Sequence, residues 1–486
     1  MVLPFLCAKI NILIVEIFCD KIINNYKYIR RKIMDIIVAG IGKIGLAVVE
    51  TLVNEGHDVT VIDNDSEIVT DVTNIYDVVG VCGNCADCET LEEAGVETAE
   101  LFIAFTGSDE MNMLSCFLAK RMGAKHTVAR IRNPEYNDHS IGFMRQQLDL
   151  SMSVNPELLV AQELYNILRI PSAFKVEYFA KRGLEMIELK LKADSPLCGK
   201  KLSKLREKQT VEFLIGVVLR GGQVIIPDGS FELAAGDIIS IAATPNDMQK
   251  LLKSMGILAK QARSVMILGG SRTAYYLSKM LLASGNVVKI IEKNIDRCEE
   301  LSDIIPKAVL VNGDGSQQEV LLEEGLRSLD AFVALTGMDE ENILMSIFAS
   351  TQNVPKVISK INRDEMVKMA EKLGLDCIVS TKSITSDIIL RYTRALHNSL
   401  GSSIESLYKI MDGKVEALEF KVDDDRRFIG VPIKELKIKR GILVAGITRA
   451  NKKTLIPKGD DIILSGDRVI ILSAEHRVTT LSDILR

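Results

Sequence analysis

The chain has 486 residues and no tryptophan, and aromatic residues make up only 5% of it. Base-stacking platforms and sugar-binding clefts are built from such rings, so both are disfavoured. A basic excess is missing too. The net charge is -5, whereas a nucleic-acid-binding surface shows clustered Lys and Arg. No segment approaches the ~18 unbroken apolar residues of a membrane-spanning helix. Histidines are few, and His57, His126, His139, His397 and His476 are scattered, none with an acid and a substrate pocket that the sequence can show. The nine cysteines are too thinly spread for a disulfide scaffold and fit a reducing cytosol. What remains is an ordinary globular composition, 47% hydrophobic and 26% charged. At ~150 residues per domain, the length suggests about three domains.

Residues 1–33 are read as a leading extension. Leu3 to Cys19 is apolar but interrupted by Lys9 and Glu16, and Lys27, Arg30, Arg31 and Lys32 follow it. It lacks the positive start and small-residue cleavage site of a signal peptide. With Met34 directly before the first strand, an over-long start is the expected reading; an amphipathic helix on a membrane surface is the alternative.

The most informative stretch is Met34 to Asp65. Ile36 to Ala39 reads as a buried strand. Gly40-Ile41-Gly42-Lys43-Ile44-Gly45 follows, then an amphipathic helix with Leu46, Val49, Leu52 and Val53 on one side, and a strand from Val59 to Ile62 ending at Asp63. This is the dinucleotide-binding fingerprint in its required context of strand, glycine turn, helix, strand and acid. Gly40 permits the tight turn, Gly42 lets a pyrophosphate approach the backbone, and Gly45 lets the helix sit close on the strand. The helix N-terminus offers unpaired N–H groups to phosphate. Asp63 would accept from ribose hydroxyls and repel a 2′-phosphate, which favours NAD or another adenosine nucleotide over NADP.

Strands and helices continue to alternate: Val78–Val81, a helix from Glu89, Leu101–Phe105, a helix from Met111 to Met122, Thr127–Arg130. The pattern predicts a doubly wound parallel sheet over 34–153. Asn155-Pro156 breaks the chain, and 154–173 reads as a connecting helix. Residues 174–259 change character to short alternating strands with a Gly221-Gly222 hairpin turn, a small α+β domain.

The chain then repeats itself. Gly269 follows Gly40 at the same interval that separates Glu292 from Asp63. Thr336 follows Thr106, and Pro457 follows Pro227, at an interval longer by a single position. So steady an offset is duplication. It places a second nucleotide domain at 263–383, a second connecting helix at 384–403 and a second small domain at 404–486. The fold class is therefore α/β: two Rossmann-like doubly wound parallel-sheet domains, each followed by a small α+β domain. The second glycine turn has degraded, with Ser271 for Gly42 and Ala274 for Gly45, and Arg272 has entered the loop.

The glycine turn with Asp63, the Thr106-Gly107-Ser108-Asp109-Glu110-Met111-Asn112 turn, Ala129-Arg130-Ile131-Arg132-Asn133 and the duplicated Pro227, Gly236, Asp237 and Pro457, Gly466, Asp467 carry a resemblance. The chain from Met34 to Arg486 resembles the TrkA family, the regulatory subunits of Trk potassium-uptake systems, which join two RCK (KTN) modules. The resemblance implies a non-catalytic cytoplasmic subunit, peripheral on the inner face of the plasma membrane. It would form a homo-oligomeric ring under a Trk-type membrane potassium transporter and gate it in response to NAD(H) and ATP or ADP. It also implies site residues. Gly40, Ile41, Gly42, Lys43, Ile44 and Gly45 would hold phosphates and Asp63 the ribose, with Thr106 and Gly107 against the cofactor and Arg130 reaching phosphate charge. In the second half, Gly269, Gly270, Ser271, Arg272, Thr273, Glu292 and Thr336 take these places, and Lys360 stands for Arg130.

Other groupings are weaker. Cys82, Cys85 and Cys88 resemble part of an iron–sulfur set without a fourth ligand, and their counterparts are Asn312, Gly315 and Gln318. Incidental small residues is the expected reading, although a helix N-terminus near Cys85 and Cys88 would lower a thiol pKa. Asp423-Asp424-Asp425 reads as a solvated turn, and Lys200 to Lys208 as a solvated face. Leu158, Leu159, Ile167, Ile388, Ile389 and Tyr392 are expected to pack between modules. Two alternative functions are an NAD-dependent dehydrogenase and a soluble nucleotide sensor without a channel.

Overall fold

A computed structural model describes residues 33–486 apart from 137, 180–182, 208, 258–260, 399–403, 412, 423–426, 452, 475–477 and 479. The leading segment to residue 32, Lys208, the Asp423–Asp425 run and His476 lie outside the described residues. The chain falls into two compact units that meet at Ser153 and Val154.

The first unit is built on a parallel sheet. β1 (Asp35–Ala39) is buried from its second residue onward, as a strand covered on both faces must be. It pairs in parallel with β2 (Asp58–Asp63) and with β4 (Leu101–Ala104). With β3 (Val79–Cys82), β5 (His126–Arg130) and β6 (Met152–Val154) the order is β3-β2-β1-β4-β5-β6. The order reverses between β1 and β4, and such a switch point is where open α/β sheets bind ligands. The helix Lys43–Asn54 buries Gly45, Val48, Val49 and Leu52, while Leu46 and Val53 are only half-buried. The helix Asp109–Met122 is capped by the Ser108 hydroxyl at one end and stops at Gly123, φ 131°.

The second unit opens with the helix Pro156–Arg169, capped by Asn155 with Pro156 in the first turn. Its apolar face, Val160, Ala161, Leu164, Ile167 and Leu168, enters the core of the second parallel sheet beside Leu277 and Leu281. Each of the valine, leucine and isoleucine side chains removed from water stabilises by roughly 1.5–3 kcal/mol. Leu158, Leu159, Ile388 and Tyr392 are half-buried, and Ile389 is buried. The second sheet runs β14-β13-β12-β15-β16-β17, with β12 Ser264–Leu268, β13 Val287–Glu292, β14 Val309–Asn312, β15 Ala331–Ala334, β16 Lys356–Lys360 and β17 Ile378–Val379. Its strand order repeats that of the first sheet.

Each small domain is an antiparallel five-stranded sheet. The first orders β10-β9-β11-β8-β7, from β7 (Lys175–Phe179), β8 (Leu184–Lys190), β9 (Phe213–Arg220), β10 (Gln223–Ile225) and β11 (Ile238–Ala243). Gly221 (φ 57°) and Gly222 (φ 83°) make the tight β9–β10 hairpin that their sequence predicts. The second orders β18-β19-β22-β20-β21, from β18 (Ile404–Ile410), β19 (Val415–Lys421), β20 (Ile442–Thr448), β21 (Thr454–Leu455) and β22 (Arg468–Ser473).

The two small sheets share one core, in which Phe179, Leu184, Met186 and Val217 meet Ile410, Val415, Ile470 and Leu472. Two glycines at corresponding positions of the repeat permit this approach. A Cβ on Gly216 would stand 2.5 Å from Leu472 Cδ1, and one on Gly446 would stand 3.0 Å from Leu184 Cδ2.

The repeated Gly-Asp of these sheets is structural. Asp237 accepts from Arg220 Nε and Nη2, both at 2.7 Å, and from the Ala234 N–H at 2.8 Å. Asp467 does the same for Arg449 and the Leu464 N–H. Among the described residues, no helix is long and apolar enough to cross a membrane.

Candidate functional site

In the first unit the glycine turn links β1 to the helix Lys43–Asn54. Gly40 has φ +86°, and a Cβ there would stand 2.6 Å from the Thr106 backbone nitrogen, so the position admits only glycine. Gly42 is different. It caps the helix with φ −66°, a value open to any residue, and a Cβ there would meet no atom within 4 Å. Its role is space, not conformation. A Cβ on Gly45 would come 2.0 Å from the Gly40 carbonyl oxygen. Gly45 therefore lets the helix sit close on the turn that ends β1, beside Phe105. Lys43 is exposed and Ile44 half-buried at the start of the helix.

Asp63 reaches back to the glycine turn. Its Oδ2 accepts the Ile41 N–H at 2.7 Å and its Oδ1 accepts the Asp65 N–H at 3.1 Å. It braces the glycine turn, with the Ile41 side chain buried beneath. A carboxylate accepts about four hydrogen bonds, so positions for ribose hydroxyls remain.

At the end of β4, the Thr106 N–H and hydroxyl both donate to Asn112 Oδ1, at 2.8 and 2.7 Å. Asn112 is fully buried and returns its Nδ2 to the Arg130 carbonyl at 3.0 Å. Gly107 offers its carbonyl to Arg132 Nη2 at 2.6 Å. Asp109 Oδ2 accepts the N–H groups of Arg132 and Asn133 at 2.7 and 2.8 Å. Arg130 lies behind this turn. It is 9% exposed, and its guanidinium donates to the Thr106 carbonyl. It ties the ends of β4 and β5 together.

The second unit repeats this frame with altered chemistry. Gly269 has φ +95° and lies against Leu335 and Thr336. Glu292 Oε2 accepts the Gly270 N–H at 2.5 Å, and Oε1 accepts the Asn294 N–H at 2.7 Å. Ser271 takes the backbone angle of Gly42, φ −67°, and its Oγ accepts the Ala274 N–H at 3.3 Å. One helix N-terminal donor left without a side-chain cap in the first turn is thus satisfied internally in the second. Arg272 is exposed, whereas Thr273 is buried at 3%. Arg297 Nε donates to the Gly270 carbonyl at 2.7 Å, adding a clamp where the first half has Ile68. Thr336 donates to Asn342 Oδ1 from both N–H and hydroxyl, and Asp339 accepts from Asn362 and Arg363. Lys360 Nζ donates to the Leu335 carbonyl at 3.3 Å, and burial pushes its pKa down against the opposing charges of Asp339 and Glu157.

Sequence reasoning missed the roles of Asn112, Asn342, Asp109 and Asp339. Asn342 follows Asn112, and Asp339 follows Asp109, at the interval that separates Thr336 from Thr106, the signal that could have exposed them. The cysteine run is corrected in one respect. Cys82 and Cys88 are exposed and Cys85 is buried. Burial drives the Cys85 thiol pKa up, the opposite of the helix N-terminal lowering expected. No group of three or more His, Cys, Asp or Glu among the described residues could hold a metal ion.

In each unit the arrangement is a helix N-terminus over a glycine turn, flanked by an acid that reaches back to the turn. Such a site accepts an anion at the turn and hydroxyl donors at the acid.

The TrkA-N domain family model matches residues 36–144 and 265–381, and the TrkA-C domain model matches 186–256 and 417–486. The Trk system potassium uptake protein TrkA homolog 1 of Methanosarcina mazei is 32% identical over 448 residues, which is 90% of this chain and 97% of that protein. The TrkA homolog of Archaeoglobus fulgidus is 32% identical over 93% of this chain and 100% of its own. The Trk system potassium uptake protein TrkA of Haemophilus influenzae is 30% identical over 93% and 96%. Among solved structures, the GsuK channel bound to NAD superposes with TM-score 0.61 at 17% identity, covering 91% of this chain and 77% of that one. The GsuK RCK domain does so with TM-score 0.60 at 17% identity, covering 91% and 93%. At that identity the likeness is one of fold. With both domain types matched twice over and relatives aligned along nearly their whole length, the chain belongs to the TrkA family of Trk system potassium uptake proteins.

Proposed function

We propose that this protein is the nucleotide-sensing regulatory subunit of a Trk-type potassium uptake system and not an enzyme. It assembles as a homo-oligomeric ring on the cytoplasmic face of a membrane potassium transporter subunit. NAD(H) and ATP or ADP bind the glycine turns and bias the packing of the modules, and the difference in binding free energy between packings gates the transporter. The observation that carries the nucleotide reading is the first turn. Gly42 leaves 4 Å of open space at a helix N-terminus that no side chain caps, with Asp63 alongside. Potassium transport is supported by the names of the relatives, and NAD by the fold shared with the NAD-bound GsuK channel.

The site assignment is Gly40 to Gly45, Asp63, Thr106 and Gly107 in the first half and Gly269 to Thr273, Glu292 and Thr336 in the second. Arg130 shapes the first site from behind.

Titrating the purified chain with NADH, NAD, ATP and ADP tests the ligand. Saturable binding without turnover of NADH is expected, and NADH consumption with a small-molecule substrate would overturn the non-enzyme reading. Co-purification with a membrane potassium transporter tests the partner. Nucleotide binding without any such transporter would leave a soluble sensor in its place.

A further inference from the structure

The second glycine turn is rebuilt by exchanges that fit one another. Gly270, Glu292 and Leu301 stand where the first half has Ile41, Asp63 and Val72. Glu292 is longer than Asp63 by one methylene, yet its carboxylate makes the same two backbone contacts. One is to the residue after the first glycine, the other to the residue two beyond the acid. Gly270 makes room for it. A Cβ there would stand 2.9 Å from Glu292 Oε2 and 2.8 Å from Leu301 Cδ1. The longer acid and the larger leucine fill the volume that a side chain at this position would need.

A further exchange offsets nothing. Arg297 replaces the half-buried Ile68 in the first turn of the helix Ile295–Ile304. Its Nε donates to the Gly270 carbonyl at 2.7 Å, and its Nη1 lies 2.6 Å from Glu300 Oε2. Gly270 thus gives its N–H to the acid and its carbonyl to Arg297, which sets the guanidinium beside Glu292. Two of the three guanidinium nitrogens are engaged, and a carboxylate balances the charge. A cation so paired has little pull left for a phosphate. The side chain is still 24% exposed. What it offers a ligand is a flat face held in a fixed position.

We propose that Arg297 reads the base of a purine nucleotide at the second turn, by stacking its guanidinium on the ring. This rests on the nucleotide reading proposed above. A ribose with its hydroxyls on Glu292 and its 5′-phosphate on the turn carries its base at the other end of the sugar, beside the acid. Proteins hold unpaired bases on arginine planes as they do on aromatic rings. An arginine plane suits a chain that has no tryptophan. Ile68 gives the first site an apolar, branched neighbour without a plane. The two turns then differ in what they select. The first, open at Gly42, favours phosphates, whereas the second, with one N–H capped by Ser271, favours the base.

The test uses the full chain carrying Asp63→Ala, which weakens the first site, and calorimetric titration with ATP and UTP. These share sugar and phosphates and differ in the base. Arg297→Ile, which copies the first half, should lower ATP affinity about fivefold and UTP affinity by less than about twofold. Arg297→Lys keeps the charge without the plane and should be as weak as Arg297→Ile. An equal fall for both nucleotides would reduce Arg297 to a brace of the turn and overturn the proposal. Recovery of ATP binding by lysine would assign it to phosphate charge and overturn it too. ATP binding untouched by Arg297→Ile overturns the role of Arg297 alone, whereas no binding of either nucleotide before Arg297 is changed overturns the nucleotide reading of this turn as well. If the Arg297 variants do not fold, Ile68→Arg in a chain carrying Glu292→Ala serves, since Asp71 stands where Glu300 does. Preference for ATP over UTP should rise about fivefold at the first site, and an unchanged preference would overturn the proposal.

Discussion

Glu188 of the first small domain holds the backbone of the second, accepting the Met411 N–H at 3.0 Å across 223 residues of sequence. Met411 sits at φ 51°, in the left-handed region that non-glycine side chains seldom adopt, and is 1% exposed. A carboxylate 2% exposed therefore satisfies a donor that water cannot reach. Glu188→Ala should destabilise the chain by ~1–3 kcal/mol, the cost of a buried donor left unsatisfied. The check is the denaturant midpoint of the transition that reports on the small domains. An unchanged midpoint would mean that the hairpin holds itself.

The middle position of the glycine turn gives a second prediction. Ser271 shows what serine does there, because its hydroxyl caps its own helix at 3.3 Å. Gly42→Ser should install the same cap and occupy the N–H that a phosphate would use. Affinity at the first site should fall about tenfold, equivalent to ~1.4 kcal/mol. The folded state should gain only a few tenths of a kcal/mol, about the difference between Gly and Ser as N-caps. Ser271→Gly should strengthen binding at the second site. Calorimetric titration of each variant in the full chain, with the other site disabled, reads both effects. Weaker binding from a destabilised fold would appear instead as a lowered melting temperature.

Asp63 braces the glycine turn and, in the proposed site, accepts from the ribose, and substitutions can divide the two roles. Asp63→Ala removes both the brace on the Ile41 N–H at 2.7 Å and the ribose acceptor. NADH affinity should fall by roughly 1.5–3 kcal/mol for each charged hydrogen bond lost. Asp63→Asn keeps an acceptor oxygen and should lose less. Equal, unchanged affinities in both variants would refute the fingerprint reading.

Close contact between the small sheets gives a fourth. Gly216→Val would drive a branched side chain into Leu472, which lies 2.5 Å from the position of a Cβ. Overpacking of this kind costs typically ~1–3 kcal/mol. The melting temperature should drop, and Gly216→Val with Leu472→Ala should recover part of the loss. Additive effects in the double variant would show that the two residues do not share this contact.

Acid stability should depend on Asp237. Burial pushes its carboxyl up, but the hydrogen bonds from Arg220 and Ala234 and the Arg220 charge outweigh it, and its pKa lies below the ordinary value. The stabilisation is therefore present above the unfolded pKa and is lost as pH falls through the folded one. Asp237→Asn should be less stable than wild type near neutrality and converge with it in acid. Parallel pH profiles would place the acid transition elsewhere.

Both parallel sheets were legible in the sequence because strand, glycine turn, helix and acid recur in fixed order, and because the offset from Gly40 to Gly269 repeats from Asp63 to Glu292. Side-chain direction was not legible. Nothing in the spacing says that Arg130 turns inward to the Thr106 carbonyl, or that Thr106 gives its hydroxyl to Asn112. Those choices are made by burial at the ends of β4 and β5, which depends on partners distant in sequence. The shared core of the small sheets was hidden for the same reason. Gly216 and Gly446 each resemble any glycine in a strand until the opposing Leu472 and Leu184 are in place.

Because Gly216 and Gly446 sit in one polypeptide, the joining of the two small sheets is an intramolecular event. Its effective concentration is set by the chain between them and not by how much protein the cell makes. Dilution cannot separate the halves. The second copy is also free to change on its own, since a substitution such as Ser271 alters one site per chain and never both. A paired module assembled from identical chains would have to alter both sites together.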